Sequence, residues 1–219
     1  MKNLILSCAV VCAVAFAGIN PSFAQNTQPR LGLKVGADLM SITTTTSVGS
    51  AIKYNYRIGV QAGVFTEIPV SKQFYIVPQF LFTQKGGNED QPSSSFGGQS
   101  SGGSSKILIN YLDIPVLFGF KVNSSLSFCA GPQLALLLSQ KTSYTQNIGN
   151  MPQDFSNTST NDFQKAIIGG NLGLGYYLNH HASINLNYIF DFQKIVKNSA
   201  GAEKGAKNEG FALTAGYLF

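Results

Sequence analysis

Residues 182–193 read ASINLNYIFDFQ, and this stretch decides the fold. Every second position, from Ala182 and Ile184 to Phe192, is apolar, while the positions between them are mostly small and polar. Ile189 is the exception on the polar face. Because successive side chains of a strand point to opposite faces, this period of two predicts a β-strand with one apolar and one polar face.

The same alternation recurs along the chain, although less cleanly in the middle segments. Pro78, Pro115 and Pro132 fall inside three of these segments, and we expect each to mark a bulge or a strand end, because proline cannot donate to a β-ladder. The eight predicted strands cover residues 31–40, 56–66, 74–84, 107–121, 126–139, 165–177, 182–193 and 210–219.

The connections between the predicted strands alternate strictly between long and short. This pattern is typical of outer-membrane barrels, which have short periplasmic turns and long external loops. We therefore expect an all-β fold, an eight-stranded antiparallel up-and-down transmembrane β-barrel. We also expect the Gly/Ser-rich stretch 91–105 to be a mobile loop. The short connections are 67–73, 122–125 and 178–181, and the long ones are 41–55, 85–106, 141–164 and 194–209.

The composition favours a membrane barrel over a water-soluble one. Charged residues make up 11% of the 219 residues, against about 25% in a typical soluble domain. The predicted apolar faces are rich in aromatic residues near the strand ends, as in the girdles of membrane barrels. A soluble lipocalin-like barrel, with the apolar face turned inward, is the alternative. The net charge of +5 comes from scattered basic residues, which excludes the clustered footprint of a nucleic-acid-binding protein.

The first 24 residues have the features of a secretory signal. Lys2 is followed by an apolar run, and Ser22-Phe23-Ala24 places small residues at the positions that a signal peptidase reads. The run is short for a membrane anchor, which is the alternative interpretation. We expect cleavage between Ala24 and Gln25, leaving residues 25–219 as the barrel domain.

The polar faces of the predicted strands carry charges of both signs. At about eight strands the interior of a barrel is filled by side chains, and a buried charge is costly unless it is paired. We therefore expect a polar network that fills the lumen, and a selective pore or small-ligand site built from the same residues is the alternative. The candidate residues are Lys34, Asp38, Arg57, Gln61, Asp113, Asn171, Asn187 and Asp191, with Glu67 and Lys121 on the same face.

Catalytic and metal-binding residues are scarce in this sequence. The two histidines, His180 and His181, fall in a predicted short turn, and Cys129 is the one cysteine left after cleavage, expected to be packed or lipid-facing. These residues are too few to supply the ligands of a transition-metal site or a catalytic nucleophile with its base. The glycines around Gly169 are followed by no helix that could bind phosphate. We expect no enzyme activity, no metal and no cofactor.

Three features of the chain resemble the PorT-like outer-membrane barrel proteins of Bacteroidetes. Residues 31–36 read LGLKVG, residues 111–117 read YLDIPVL, and the chain ends on Phe219 two residues after Tyr217. The second motif is close to the Tyr-Leu-acid-Ile-Pro-Leu-Leu pattern of that group. The resemblance covers the whole mature chain and implies an eight-stranded barrel in the outer membrane, delivered to the barrel-assembly machinery through Phe219. It implies little about activity.

The expected function is that of a non-catalytic integral barrel that serves as a scaffold or a surface-interaction protein. A small transport pore and a membrane component of a secretion or gliding apparatus are the alternatives. Expected partners are outer-membrane lipids, including lipopolysaccharide, and no nucleic acid. The lysines at the bases of the long loops that could touch lipopolysaccharide are Lys141, Lys165, Lys194 and Lys197.

The predicted topology can be tested with epitope tags on intact cells. Tags inserted at Ser95 and Asn157, in the long connections, should be detected by antibody from outside, whereas a tag at Asn123, in a short turn, should be detected only after the envelope is opened. The reverse labelling pattern would invert the orientation in the membrane.

Overall fold

The computed structural model describes residues 28–45, 51–96, 99–148, 151–197 and 205–219. The expected signal segment, residues 1–24, lies outside the described residues. No helix in the described ranges is long and apolar enough to cross a membrane. The strands within these ranges are β1 Arg30–Thr45, β2 Ala51–Lys53, β3 Arg57–Pro69, β4 Phe74–Phe96, β5 Gln99–Lys121, β6 Leu126–Ile148, β7 Met151–Asn157, β8 Ala166–Tyr177, β9 Ala182–Asp191 and β10 Lys207–Leu218.

Eight of these strands form a closed antiparallel barrel. The order runs from β1 through β3, β4, β5, β6, β8 and β9 to β10, and β10 pairs back with β1. Leu33 on β1, for example, lies between Tyr217 on β10 and Val64 on β3. The short strands β2 and β7 add to β1 and β6 without entering the ring. The prediction of an eight-stranded up-and-down barrel is confirmed.

The strands β4, β5 and β6 are longer than the sequence predicted. Each has 23 residues, and the ladder between β4 and β5 continues to the pair Phe96 and Gln99. The prediction of loops over 85–106 and 141–164 was therefore wrong in large part, while the mobility expected for 91–105 stays a prediction. The sequences 85–105 and 141–147 consist mostly of polar residues and glycine, so the apolar period that marks a strand is absent even though the backbone pairing continues.

The three prolines lie within strands and mark neither bulges nor strand ends, contrary to the prediction. Pro78 interrupts the ladder from β4 to β3 over two pairs, and the register on both sides of the gap is the same. Pro115 does this between β5 and β4, and Pro132 between β6 and β5. Each proline has no N–H to donate to one of its two neighbouring strands. The hydrogen-bonded pairing is therefore interrupted locally, but the register of the two strands does not change.

A bulge in β6 explains why that strand appeared apolar on both faces. The pairing with β5 shifts between Asn110 and Tyr111, so Leu138 has no partner on that strand and is exposed. Gln133 points inward before the bulge and Gln140 points inward after it, so the parity changes by one residue. An extra residue in one strand has this effect because side chains alternate with a period of two.

The apolar face of the barrel points outward. Ile184 and Leu186 are 43% and 45% exposed, whereas Asn187, the residue after Leu186, is 5% exposed. Aromatic side chains such as Phe74 and Tyr217 are exposed near the strand ends. Water-soluble proteins rarely expose an apolar surface of this extent. This orientation is what lipid requires and is opposite to that of a soluble lipocalin-like barrel.

Apolar side chains also occupy parts of the interior. Ile189, the exception in the first segment, packs with Met40 and Ala212. Phe65, Tyr75, Val77, Leu117 and Leu218 form a cluster toward the short-turn end. A third cluster lies toward the opposite end and consists of Ile42, Tyr54, Ile109, Tyr111, Ala135, Ile167, Ile195 and Ala206. The lumen is therefore filled by apolar and polar groups in turn.

Arginine substitutions should separate the two faces of β9. Ile184→Arg or Leu186→Arg places a charge against lipid, at a cost of about 2–4 kcal/mol near the bilayer midplane. Asn185 lies on the inward face but is only half-buried and close to the short turn at 178–181, so the guanidinium of Asn185→Arg can reach water at that end of the barrel. The measurement is the folded fraction in lipid vesicles, read from the gel shift of unboiled samples. If Asn185→Arg were the most damaging of the three, the assignment of the faces would be reversed.

Candidate functional site: the filled lumen

A chain of polar side chains runs across five consecutive barrel strands, and we call it the polar belt. It consists of Lys85, Asp113, Gln133, Asn171 and Asn187. Lys85 Nζ lies 3.0 Å from Asp113 Oδ2, and Gln133 donates to the same oxygen at 2.9 Å. Asn171 donates to Gln133 Oε1 at 3.1 Å, and Asn187 donates to Asn171 Oδ1 at 2.8 Å. The belt ties β4, β5, β6, β8 and β9 together from the inside.

The ion pair at one end of the belt is fully buried. The side chains of Lys85 and Asp113 are both 0% exposed, and the Lys85 ammonium lies 5.1 Å from the ring centroid of Tyr111. Taking two charges out of water is costly unless they are paired and hydrogen-bonded. Here the Lys85 ammonium and the Gln133 amide both neighbour the Asp113 carboxylate, so removing one partner would leave the other charge uncompensated.

Some of the predicted residues bond to neighbours outside the predicted set. Asp191 accepts a hydrogen bond from Asn208 Nδ2 at 2.7 Å. Gln61 donates to Thr83 Oγ1 at 3.3 Å. Lys34 donates to Gln79 Oε1 at 2.8 Å. The structure therefore brings Asp113, Asn171 and Asn187 together, whereas Asp191, Gln61 and Lys34 each belong to a separate pair.

Asp38 and Arg57 are also on the inward face. Asp38 is 1% exposed, and neither of its carboxylate oxygens has a hydrogen-bond partner among the described residues. Arg57 is half-buried. Because Asp38 pairs with Gly59 and Met40 pairs with Arg57, the two charged residues are diagonal neighbours on β1 and β3. Opposite charges at diagonal positions lower the cost of burying each of them.

A second polar group, the mouth cluster, closes the short-turn end. It consists of Glu67, Lys121, Tyr177 and Tyr75. Glu67 forms an ion pair with Lys121 and accepts a hydrogen bond from Tyr177 Oη at 2.7 Å. The Lys121 ammonium lies 5.0 Å and 5.2 Å from the ring centroids of Tyr75 and Tyr177. Both oxygens of the Glu67 carboxylate are therefore engaged.

A small cavity lies inside the barrel. The cavity beside Lys34, Gln79 and Asn187 has a volume of about 30 Å³, which is about the share of one water molecule in the liquid. Toward the long-strand end, Ile195 from the segment after β9 is buried in the barrel and donates its backbone N–H to Ala206 O at 2.8 Å. Part of the predicted external connection 194–209 therefore packs into the end of the barrel opposite the mouth cluster.

Seven partners in these contacts were absent from the sequence prediction: Lys85, Gln133, Gln79, Thr83, Asn208, Tyr75 and Tyr177. Lys85 was assigned to a loop. It lies two residues after Thr83, however, and side chains two residues apart in a strand point to the same face, so it points inward like Gln79 and Thr83. Gln133 lies between Pro132 and the bulge, where the alternation is obscured. A prediction that extended each strand by its parity would have found Lys85, since its position on the polar face follows from that of Thr83.

The histidines and the cysteine have structural neighbours. His181 Nδ1 lies 2.8 Å from Leu218 O, and the ring stacks on Tyr217 with centroids 5.8 Å apart. Cys129 faces the small interior cavity. A Cβ at position 173 would lie 2.5 Å from Cys129 Sγ, so Gly173 leaves the room that the thiol occupies. Among the described residues, no three His, Cys, Asp or Glu side chains are arranged to hold a metal ion.

The chain is similar to known membrane barrels in sequence and in fold. The profile of the family described as outer membrane protein beta-barrel domain matches residues 23–195, which is more than half of the chain. No curated protein matches the sequence.

Solved structures with a similar fold include Ail, the attachment invasion locus protein of Yersinia pestis, at 12% identity and a TM-score of 0.44, covering 88% of this chain and 99% of that one. OprG from Pseudomonas aeruginosa has 13% identity and a TM-score of 0.39, covering 89% and 97%. Neisserial surface protein A has 14% identity and a TM-score of 0.39, covering 85% and 97%.

Breaking the buried ion pair should destabilise the barrel. Lys85→Met leaves the Asp113 carboxylate uncompensated, at a cost of about 3–5 kcal/mol. The double variant Lys85→Met/Asp113→Asn should recover most of this loss, because a neutral amide needs no counter-charge. The measurement is the free energy of unfolding in lipid vesicles. Lys106→Met, which removes an exposed lysine from β5, is the control and should change it by no more than about 0.5 kcal/mol. A Lys85→Met variant as stable as this control would show that the pair does not stabilise the barrel.

Proposed function

Because the chain belongs to the outer membrane protein beta-barrel domain family, we propose that it is a non-catalytic scaffold whose protruding strands meet a partner outside the bilayer. The protein is an integral barrel of the outer membrane. Its filled lumen supports a structural role for the interior. The proposal assigns the contact with other molecules to the part of the sheet that extends beyond the lipid.

The observation that carries this proposal is the length of β4, β5 and β6. A tilted transmembrane strand needs about 9–11 residues, whereas each of these strands has 23. The excess of about 12 residues corresponds to about 40 Å of strand at about 3.3 Å per residue. The other ends of these strands are joined by short turns, so the excess lies at the long-strand end. A paired sheet of this length presents a rigid surface rather than a flexible loop.

The protruding sheet carries exposed aromatic side chains. Tyr144 on β6 pairs with Phe155 on β7, and the two residues are 47% and 53% exposed. These positions lie beyond the contact between β6 and β8, which ends at Leu136 and Ala166. Tyr and Phe are enriched where proteins contact one another. This pair is the feature that we propose as the centre of the contact with a protein partner.

The interior supports the scaffold rather than a transport pore. The polar belt crosses the lumen, the mouth cluster fills one end, and the cavity between them has about the volume of one water molecule. If the protein is a scaffold, it should show no conductance in planar bilayers. Steady conductance would favour the small pore instead.

Finer assignments follow from the sequence motif and from the ends of the chain. The motif at 111–117 supports placing the chain among the PorT-like barrels of Bacteroidetes, and a role in a secretion or gliding apparatus would follow from that placement. Phe219 is exposed and its ring lies 5.6 Å from that of Tyr217, which leaves it accessible to the barrel-assembly machinery. The exposed Lys165 and Lys197 are proposed to contact lipopolysaccharide.

The scaffold proposal can be tested by cross-linking on intact cells. The variant Tyr144→Ser/Phe155→Ser should lose the cross-linked partner that the wild-type protein gives. The variant Thr145→Ala/Asp154→Ala removes the adjacent exposed pair, which shares a hydrogen bond of 2.8 Å, and should retain it. Folding of both variants is checked by the gel shift. An unchanged cross-linking pattern in the aromatic variant would refute the proposed contact.

A further inference from the structure

A polar bay opens beside the mouth cluster at the short-turn end of the barrel. It lies between the start of β1 and the turn from β3 to β4, and its volume is about 260 Å³. This is slightly below the roughly 300–1,000 Å³ of pockets that hold drug-sized ligands. The bay therefore fits a small polar group rather than a whole lipid or peptide. Its lining includes Gln28, Arg30, Lys72, Gln73 and Phe74.

The lining of the bay has an excess of positive charge. Arg30, Lys72 and Lys121 are basic and Glu67 is acidic, so the formal charge is 3 − 1 = +2. Both oxygens of Glu67 are already engaged, by Lys121 and by Tyr177. The charge that remains for a ligand is therefore that of Arg30 and Lys72, and it favours an anion.

The two cations come from different parts of the chain, Arg30 from the start of β1 and Lys72 from the turn between β3 and β4. Arg30 Nη2 donates to the backbone oxygen of His180 in the turn from β8 to β9, which leaves most of the five guanidinium donors for a ligand. Lys72 lies at the tip of the turn from β3 to β4. Ser71 Oγ accepts hydrogen bonds from the backbone N–H groups of Gln73 and Phe74, at 3.3 Å and 3.1 Å, so the turn has a defined shape.

The outer lip of the bay is apolar and continuous with the lipid-facing wall. Phe74 is exposed, and its ring lies 5.2 Å from that of Phe120 on β5. Val70 in the same turn is also exposed. Aromatic residues at such a level mark the interface of the bilayer with water. The bay is thus placed where the headgroups of membrane lipids lie, with an apolar surface below it for acyl chains.

We propose that this bay binds a phosphate group, held by Arg30 and Lys72. A guanidinium matches phosphate oxygens with two parallel hydrogen bonds, and the ammonium adds a second positive charge. The side-chain amides of Gln28 and Gln73 offer further neutral donors. A phospholipid headgroup and a free phosphate ester present the same chemistry, and the experiment below distinguishes them.

The test uses the folded full-length barrel in detergent micelles and native mass spectrometry. The probes are dioleoylphosphatidylglycerol, dioleoylglycerol, which lacks the phosphate, and glycerol phosphate, which lacks the acyl chains. The wild-type protein should retain one molecule of a phosphate-bearing probe and no dioleoylglycerol. Retention of the phospholipid alone would identify a lipid as the source, and equally tight binding of glycerol phosphate would identify a soluble ester.

Two variants and a control make the test specific. Arg30→Gln/Lys72→Gln should weaken binding about tenfold or more. Lys72→Gln alone, which changes an exposed turn residue without disturbing the bond to His180, should weaken it about threefold. The control Lys106→Gln/Lys207→Gln removes two exposed lysines toward the opposite end and should bind like the wild type. Equal binding by wild type and Lys72→Gln, or retention of dioleoylglycerol at the same level, would overturn the proposal.

Discussion

The ladder between β1 and β10 joins the first and last barrel strands from the pair Gly32–Leu218 to the pair Thr43–Lys207. Within lipid there is no water to satisfy backbone N–H and C=O groups, so a sheet can cross the bilayer only if its edges are joined. Closing the ring after eight strands also fixes the width of the lumen, which at this number is just wide enough for side chains. The contents of the interior follow from this closure, because every inward polar group must find its partner inside.

The polar belt and the mouth cluster are two solutions to that requirement. In the belt, Lys85 pairs with the charge of Asp113. A chain of hydrogen bonds between neutral amides then extends from Asp113 to Asn187. In the mouth cluster, Lys121 is placed between aromatic rings and paired with Glu67. The belt bonds each of its strands to the next one around the barrel, whereas the mouth cluster joins β3 to β5 and to β8, which are not its neighbours. The interior contacts therefore stabilise the closed ring as well as filling it.

The sequence predicted the strands of the barrel well because the lipid-facing apolar surface imposes a period of two. Six of the eight predicted starts lie within one residue of those observed; β5 begins eight residues earlier, at Gln99, and β10 begins three residues earlier, at Lys207. The prediction failed where that constraint ends. Beyond the bilayer, the backbones of β4 and β5 continue as a paired hairpin, and its mostly polar sequence has no periodic pattern that would identify it. Pairing partners such as Lys85 were missed for the same reason, since a loop was assumed to begin where the apolar period ended.

The two ends of the barrel offer different chemistry to their surroundings. At the short-turn end, the connections between strands are tight and do not extend far from the membrane surface. The groups available to other molecules there are charged side chains such as Arg30 and Lys72. At the other end, the unequal strand lengths turn part of the ring into a sheet that exposes Tyr144 and Phe155. Between the two ends, the polar belt crosses five of the eight barrel strands and fills part of the lumen with paired side chains.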